Sequence, residues 1–482
     1  MKHKSIGFKI GVALAVFHLC LALLAFFAYI NCRSSTAGLV FIRFFVLDAP
    51  ILFLMPPALF KVFGEAAPLI QFGVFGSALW FLIPWLIDMA ITHIFPNGKR
   101  LVRAIVIVGV IPIILVGFSR LSSFSVKRII QQERPVELKK MLNSATSDFL
   151  TKKVIFENDA WGPVTSISRI NCKSGSGMEL VVAMYGGIVF LNESYQEQSR
   201  LNLAGRRFNM TEPLYDNTNF CRFLAYRYGE GVYLFDLDGK EIWKFIKSDK
   251  TVTIDGSRFG DVDGDGKMEF AVYYRYRQGI VLIDSDGKTR WEHPVNALGH
   301  LEITDILGDG KARVVYTNSN NANGTTDFTV LDSDGTVVNQ QKIATKSCEF
   351  AVIKWPNSAA NPNILLTEDG NIRIVDIKGE NVVQLDAPGC RPYGNMKAVT
   401  VKFRKEEPEY LAVRKILFPD LSVLYVYDAN GKLVYQKTEV FEGLLAPTLT
   451  TMPVNETGSE KLLVGASAGN FRAQVLEYSL TR

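Results

Sequence analysis

The period of the hydrophobic positions changes once along the 482-residue chain. Up to about residue 120 the apolar residues form four long stretches, roughly 8–30, 38–60, 69–95 and 101–120. Each is near or above the ~20 residues that a helix needs to cross a hydrocarbon layer. From about residue 150 the helical period is gone. Short runs of β-branched and aromatic residues follow one another, punctuated by Gly, Asp and Asn, which is the pattern of strands joined by tight turns. The pattern predicts an N-terminal α-helical membrane bundle over 1–122 and an all-β domain over 148–482. Between them, residues 123–147 carry apolar positions at helical spacing, interrupted by Pro135. They are expected to form a juxtamembrane helix or linker whose Lys127, Arg128, Lys139 and Lys140 lie within reach of lipid head groups.

The first apolar stretch follows Lys2, Lys4 and Lys9, as a signal sequence would. Its apolar region exceeds the ~7–15 residues of a signal peptide and no small-x-small cleavage site follows, so it reads as a retained span. The second stretch holds Arg43, Asp48, Pro50, Pro56 and Pro57. Charges at bilayer depth are costly, which leaves two readings. One is a polar site inside the bundle that draws in Asp88 or His18; the other is a kinked or re-entrant segment near an interface. Orientation depends on that segment. Basic clusters precede the first span, separate the last two (Lys99, Arg100, Arg103) and follow the last (Arg120, Lys127, Arg128). Four true spans put both chain ends on one side; if 38–60 does not cross, the β domain lies outside.

The all-β part repeats itself. VYLFDLDGK at 232–240 recurs as IVLIDSDGK at 280–288, FTVLDSDGT at 328–336, IRIVDIKGE at 372–380 and LYVYDANGK at 424–432. Weaker copies are IVFLNESYQ at 188–196 and AQVLEYS at 473–479. Aligning them on Asn192, Asp236, Asp284, Asp332, Asp376, Asp428 and Glu477 gives seven copies at a period of about 48 residues, the length of a β-propeller blade. Within each copy the D-x-x-G string supplies a hairpin turn, with Asp capping it and Gly taking the positive φ. A seven-bladed β-propeller is therefore expected. The seventh copy runs out at Arg482 after its third strand, and the strand-like KKVIFE at 152–157 is expected to supply the fourth and close the ring.

One loop carries chemistry. In the third repeat GDVDGDGKMEF places Asp261, Asp263, Asp265 and Glu269 at positions 1, 3, 5 and 9 of a tight turn. Hard oxygen donors at that spacing, with the Lys267 backbone carbonyl, suit Ca2+. This string resembles the D-x-D-x-D-G-x-x-[DE] loop of FG-GAP (VCBS-type) repeats, the blades of integrin α-subunit propellers and of many bacterial surface proteins. The resemblance covers roughly residues 150 to the end. It implies one calcium site between two strands of blade three, held by Asp261, Asp263, Asp265, Lys267 and Glu269. Blade four keeps Asp305 and Asp309 but has Leu307 and Arg313 at the other donor positions, and blade one keeps only Asn171 and Glu179.

Composition removes several function classes. Net charge is +5 with no long Lys/Arg run, which argues against nucleic acid as a partner. The six cysteines, Cys20, Cys32, Cys172, Cys221, Cys348 and Cys390, form no C-x-x-C pair. The last four permit two disulfides in an oxidising compartment, or stand as isolated thiols. Asn192, Asn209, Asn323 and Asn455 open N-x-S/T sequons at chance frequency. No common hydrolase, metalloprotease or phosphate-loop motif occurs. His293 and His300 flank the fourth inner strand, where a turn or channel-lining role is expected. The expected function is a non-enzymatic binding, adhesion or scaffold module. It is held in the membrane with its propeller extracytoplasmic, and binds a protein or carbohydrate ligand on a propeller face. One alternative is a quinoprotein-like oxidoreductase, suggested by G-K-x-x-W at Trp243 and Trp291; Trp80 and Trp85 belong to the apolar part. The other is a propeller that regulates a transporter-like membrane domain through Arg43, Asp48 and Asp88.

Overall fold

The computed structural model describes residues 8–16, 18 and 76–94, and residues 147–481 other than 160, 171–178, 204–209, 216–220, 228–230, 247–253, 275–278, 296–297, 319–323, 348, 357–361, 393, 419–420, 441–447, 455–457 and 469–471. The chain divides into two compact units, Met1–Pro135 and Val136–Arg482.

Among the described residues of the second unit there are seven sheets, each of four antiparallel strands. Blade one runs Val164–Ile170, Glu179–Met184, Gly187–Leu191 and Glu197–Asn202. Blade two runs Met210–Tyr215, Cys221–Arg227, Gly231–Asp236 and Glu241–Phe245. Blade three runs Gly256–Gly260, Glu269–Tyr274, Gly279–Ile283 and Thr289–His293. Blades four to six follow from Leu298, Phe350 and Met396 in the same way. Blade seven begins with Thr448–Val454, Ser459–Ala468 and Arg472–Leu480. Its fourth strand is Leu150–Asn158, paired antiparallel from Leu150 opposite Leu480 to Asn158 opposite Ala473. The ring closes as the repeat count requires: the strand that precedes blade one completes the last blade.

Burial explains the strand sequences. Third strands such as Gly187–Leu191 and Gly279–Ile283 are buried at every position. Sandwiched between neighbouring blades, they read as unbroken apolar runs. Fourth strands such as Glu197–Asn202 alternate exposed and half-buried side chains, because one face meets water. The cores lie between blades rather than within them. Val181 and Phe190 of blade one pack with Phe223 and Phe235 of blade two. Across the closure, Val164, Leu180 and Val189 of blade one pack with Leu463 and Val475 of blade seven.

The turns match their expected chemistry. In blade two Asp236 Oδ1 accepts from the amides of Asp238 and Lys240 at 3.0 and 2.8 Å, and Gly239 holds φ 76°. Asp284, Asp376 and Asp428 repeat this geometry. Blade one departs from it: Tyr195 stands at the glycine position with φ 62°, and its hydroxyl donates to Glu477 of blade seven.

Among the described residues of the first unit is a 19-residue helix, α1 (Gly76–Ile94), inside the stretch expected as the third span. Residues 8–16 and 18 are also helical. Among the described residues no helix is long and apolar enough to cross a membrane, so the expected four-helix membrane bundle has no support in the structure. Asp88 and His93 interrupt the apolar run of α1. The expected spans at 38–60 and 101–120, most of 8–30, and the linker 123–147 except Ser147 lie outside the described residues, as do Arg43 and Asp48. His18 and Asp88 are both buried; the His18 ring stacks on Trp80 and its Nδ1 lies 3.3 Å from Ser77 Oγ.

Candidate functional site: the acidic loop of blade three

The loop between the first two strands of blade three hangs from the Gly260–Glu269 pair at the end of their ladder. Val262 is buried and pins the loop to the sheet. Asp261 Oδ1 and Oδ2 accept from the amides of Gly264 and Gly266 at 2.7 and 2.9 Å. Asp263 Oδ1 accepts from Asp265 N at 3.1 Å, and Asp265 Oδ1 from Lys267 N at 2.8 Å. These bonds bring one carboxylate oxygen each of Asp261, Asp263 and Asp265 within 4.8 Å of one another. Oxygens at 2.3–2.6 Å from a Ca2+ ion sit about that far apart, so the three aspartates fit the ion.

Glu269 stands beside that group rather than in it. Its Oε2 accepts from Val262 N at 3.0 Å, and its Oε1 is 3.4 Å from the guanidinium of Arg290. Burial pushes Glu269 up to about 7 against the Val262 amide and Arg290, and the charges of Asp263 and Asp265 add to the rise. Arg290, on the outermost strand of the same blade, also donates to Asp263 Oδ2 at 2.7 Å. Burial disfavours the Asp263 carboxylate, but this bond and the Asp265 amide hold it below its ordinary range. Sequence reasoning missed Arg290, because a residue 27 positions away from Asp263 reaches the loop only through the sheet.

Blade four repeats the scaffold with other charges. Asp305 accepts from the amides of Gly308, Asp309 and Gly310 at 2.7, 3.2 and 2.8 Å. Arg313 pairs with Thr304 as Glu269 pairs with Gly260, so it occupies the ninth position of the loop. Its guanidinium forks onto both oxygens of Asp309 at 2.8 Å and holds that carboxyl well below the usual range. The corresponding loop of blade one, residues 171–178, lies outside the described residues.

Three other groups were singled out by the sequence. Trp243 and Trp291 dock on the next blade: their Nε1 atoms donate to Ser285 O at 3.1 Å and Ser333 O at 2.8 Å. His293 meets the Tyr316 hydroxyl at 3.0 Å, and burial lowers its pKa. His300 lies on the inner strand of blade four between two carboxylates: Nε2 is 3.0 Å from Glu302 and Nδ1 is 2.9 Å from Glu349. Arg258 of blade three faces Glu302 from the other side at 3.4 Å. Cys390 is a buried free thiol whose pKa burial raises to about 11; Cys172 and Cys348 lie outside the described residues.

No family model and no curated protein matches this chain. Among solved structures it is similar to the crystal structure of BBS1N in complex with ARL6DN soaked with lead, at 12% identity and TM-score 0.46, covering 69% of this chain and 97% of that one. The mercury-soaked crystal of the same complex gives 12% identity, TM-score 0.47 and the same coverage. The Neurospora crassa Pan2 WD40 domain gives 12% identity and TM-score 0.39, covering 66% of this chain and 89% of that one.

Proposed function

We propose that this chain is an integral membrane protein whose propeller is a non-enzymatic binding or scaffold module, extracytoplasmic and stabilised by calcium. The observation that carries the reading is the closing strand. Leu150–Asn158 follows directly on the linker from the apolar N-terminal region and is also the outermost strand of blade seven. Whatever holds the N-terminal region therefore holds the ring by one of its own strands. The ligand is a protein or carbohydrate bound on a propeller face. Calcium, where bound, neutralises clustered carboxylates and ties the first strand of blade three to the second. Asp261, Asp263 and Asp265 would hold it, joined by the Lys267 carbonyl and by Glu269 once Glu269 turns from Arg290. The quinoprotein alternative loses its motivating feature, since Trp243 and Trp291 are engaged in docking adjacent blades.

The test is protease shaving of intact cells, followed by an antibody against 148–482. Loss of the domain supports the extracytoplasmic binding reading. Protection until lysis places the propeller in the cytoplasm and replaces that reading with a scaffold for the N-terminal segments.

A further inference from the structure

Resting on the calcium reading, we infer that Arg290 is an internal rival of the metal ion and sets the affinity of the blade-three loop. Its guanidinium lies 2.7 Å from Asp263 Oδ2 and 3.4 Å from Glu269 Oε1, on two of the carboxylates a divalent cation would recruit. A guanidinium stays charged at every physiological pH, so acidity does not remove the competitor. An arriving ion takes Asp263 and Glu269 only as Arg290 withdraws.

Blade four shows the same scaffold with the contest decided. There the ninth position is Arg313, which forks onto Asp309 and donates to Lys311 O at 3.2 Å. There three carboxylates, Asp305, Asp309 and Asp332 of the next turn, meet two cations, Lys311 and Arg313, leaving one formal negative charge. In blade three four carboxylates, Asp261, Asp263, Asp265 and Glu269, meet Lys267 and the incoming Arg290, leaving two formal negative charges. That larger excess of charge favours binding of a divalent cation. The competing ion pair weakens calcium binding relative to the same loop without it. Blade four is the metal-independent version, in which the cation is covalently part of the chain.

The experiment compares the purified full-length chain with Arg290→Met and Arg290→Gln, the second covering a folding failure of the first. Calcium binding is read by calorimetry and terbium luminescence, and melting is read in chelator and in calcium. The expected result is calcium affinity about three- to fivefold higher in both variants, the free energy of one partly screened ion pair. The variants should also melt lower than wild type in chelator and gain more from calcium. Asp265→Asn should abolish binding in either background. Equal affinity in wild type and variants, or weaker affinity in the variants, overturns the role of Arg290 and leaves the calcium reading standing. Absence of calcium binding in all three proteins overturns both.

Discussion

His300 shows how a single side chain can be fixed by its neighbours. Both ring nitrogens face carboxylate oxygens, and a neutral imidazole offers one N–H and one lone pair, so only the imidazolium satisfies Glu302 and Glu349 together. Burial opposes that charge, but Glu349 and the hydrogen bonds to both carboxylates outweigh it and raise His300 to about 9. The imidazolium sits on blade four, its partner Glu349 leads into blade five, and Arg258 of blade three braces Glu302. A histidine whose folded pKa is raised stabilises fully below its unfolded pKa of 6.5 and ceases to do so as pH rises through about 9. The melting temperature of wild type should therefore fall between those pH values. His300→Gln should melt lower than wild type at pH 6, and the gap should close by pH 10. A constant gap across that range would show that the ring, not its charge, joins the blades.

At the scale of the element, the D-x-x-G hairpin serves two functions. It turns the third strand into the fourth, and it presents a flat glycine to the preceding blade. Gly287 has φ 86°, and a Cβ there would meet the Trp243 ring at 2.9 Å. Gly370, in the turn between the second and third strands of blade five, has φ 78° with open space around it. Alanine at Gly370 should cost only the left-handed backbone term, about 1–2 kcal/mol. Alanine at Gly287 adds a clash with the indole and should cost roughly 1–3 kcal/mol more. Chemical denaturation of the two variants measures the difference, and equal losses would mean that Trp243 shifts freely. Tyr195 marks where the element changes its role. Its blade faces the closure, and its side chain bridges to Glu477, which Lys461 also contacts at 3.0 Å.

Across the whole molecule, stability depends on the ring being closed. Each blade buries its apolar faces against two neighbours, and the seam between blades seven and one is held by Val164, Leu180, Leu463 and Val475. The closing strand and the residue before it add a second hold on blade six: Lys152 pairs with Glu439 at 2.9 Å, and Phe149 packs its ring on Phe403 and Tyr410. Deleting 148–158 would expose the edge of Arg472–Leu480 and remove those contacts together. The domain should then lose its cooperative thermal transition, or melt far below wild type. An unchanged melting temperature would mean that the seam alone closes the ring.

The local information in the chain determined the repeat number, the strand order within each blade, the turn chemistry and the origin of the closing strand. These rest on local patterns repeated at a period of about 48 residues: apolar strand runs, a side chain that caps its own turn, a glycine at positive φ, and a strand-like segment ahead of the first copy. The acidic loop was legible for the same reason, since Asp261, Asp263 and Asp265 are oriented by amides no more than five residues away. What the tertiary structure decided is which charges meet across strands and blades. Arg290 reaches Asp263 from the far strand of the sheet, 27 positions along the chain. His300 finds Glu349 across a blade boundary, and Trp243 and Trp291 spend their indole N–H groups on neighbouring turns. Electrostatic partners act over ångströms in space and have no fixed spacing in sequence, so strand register and the curvature of the ring had to be in place before those pairs existed.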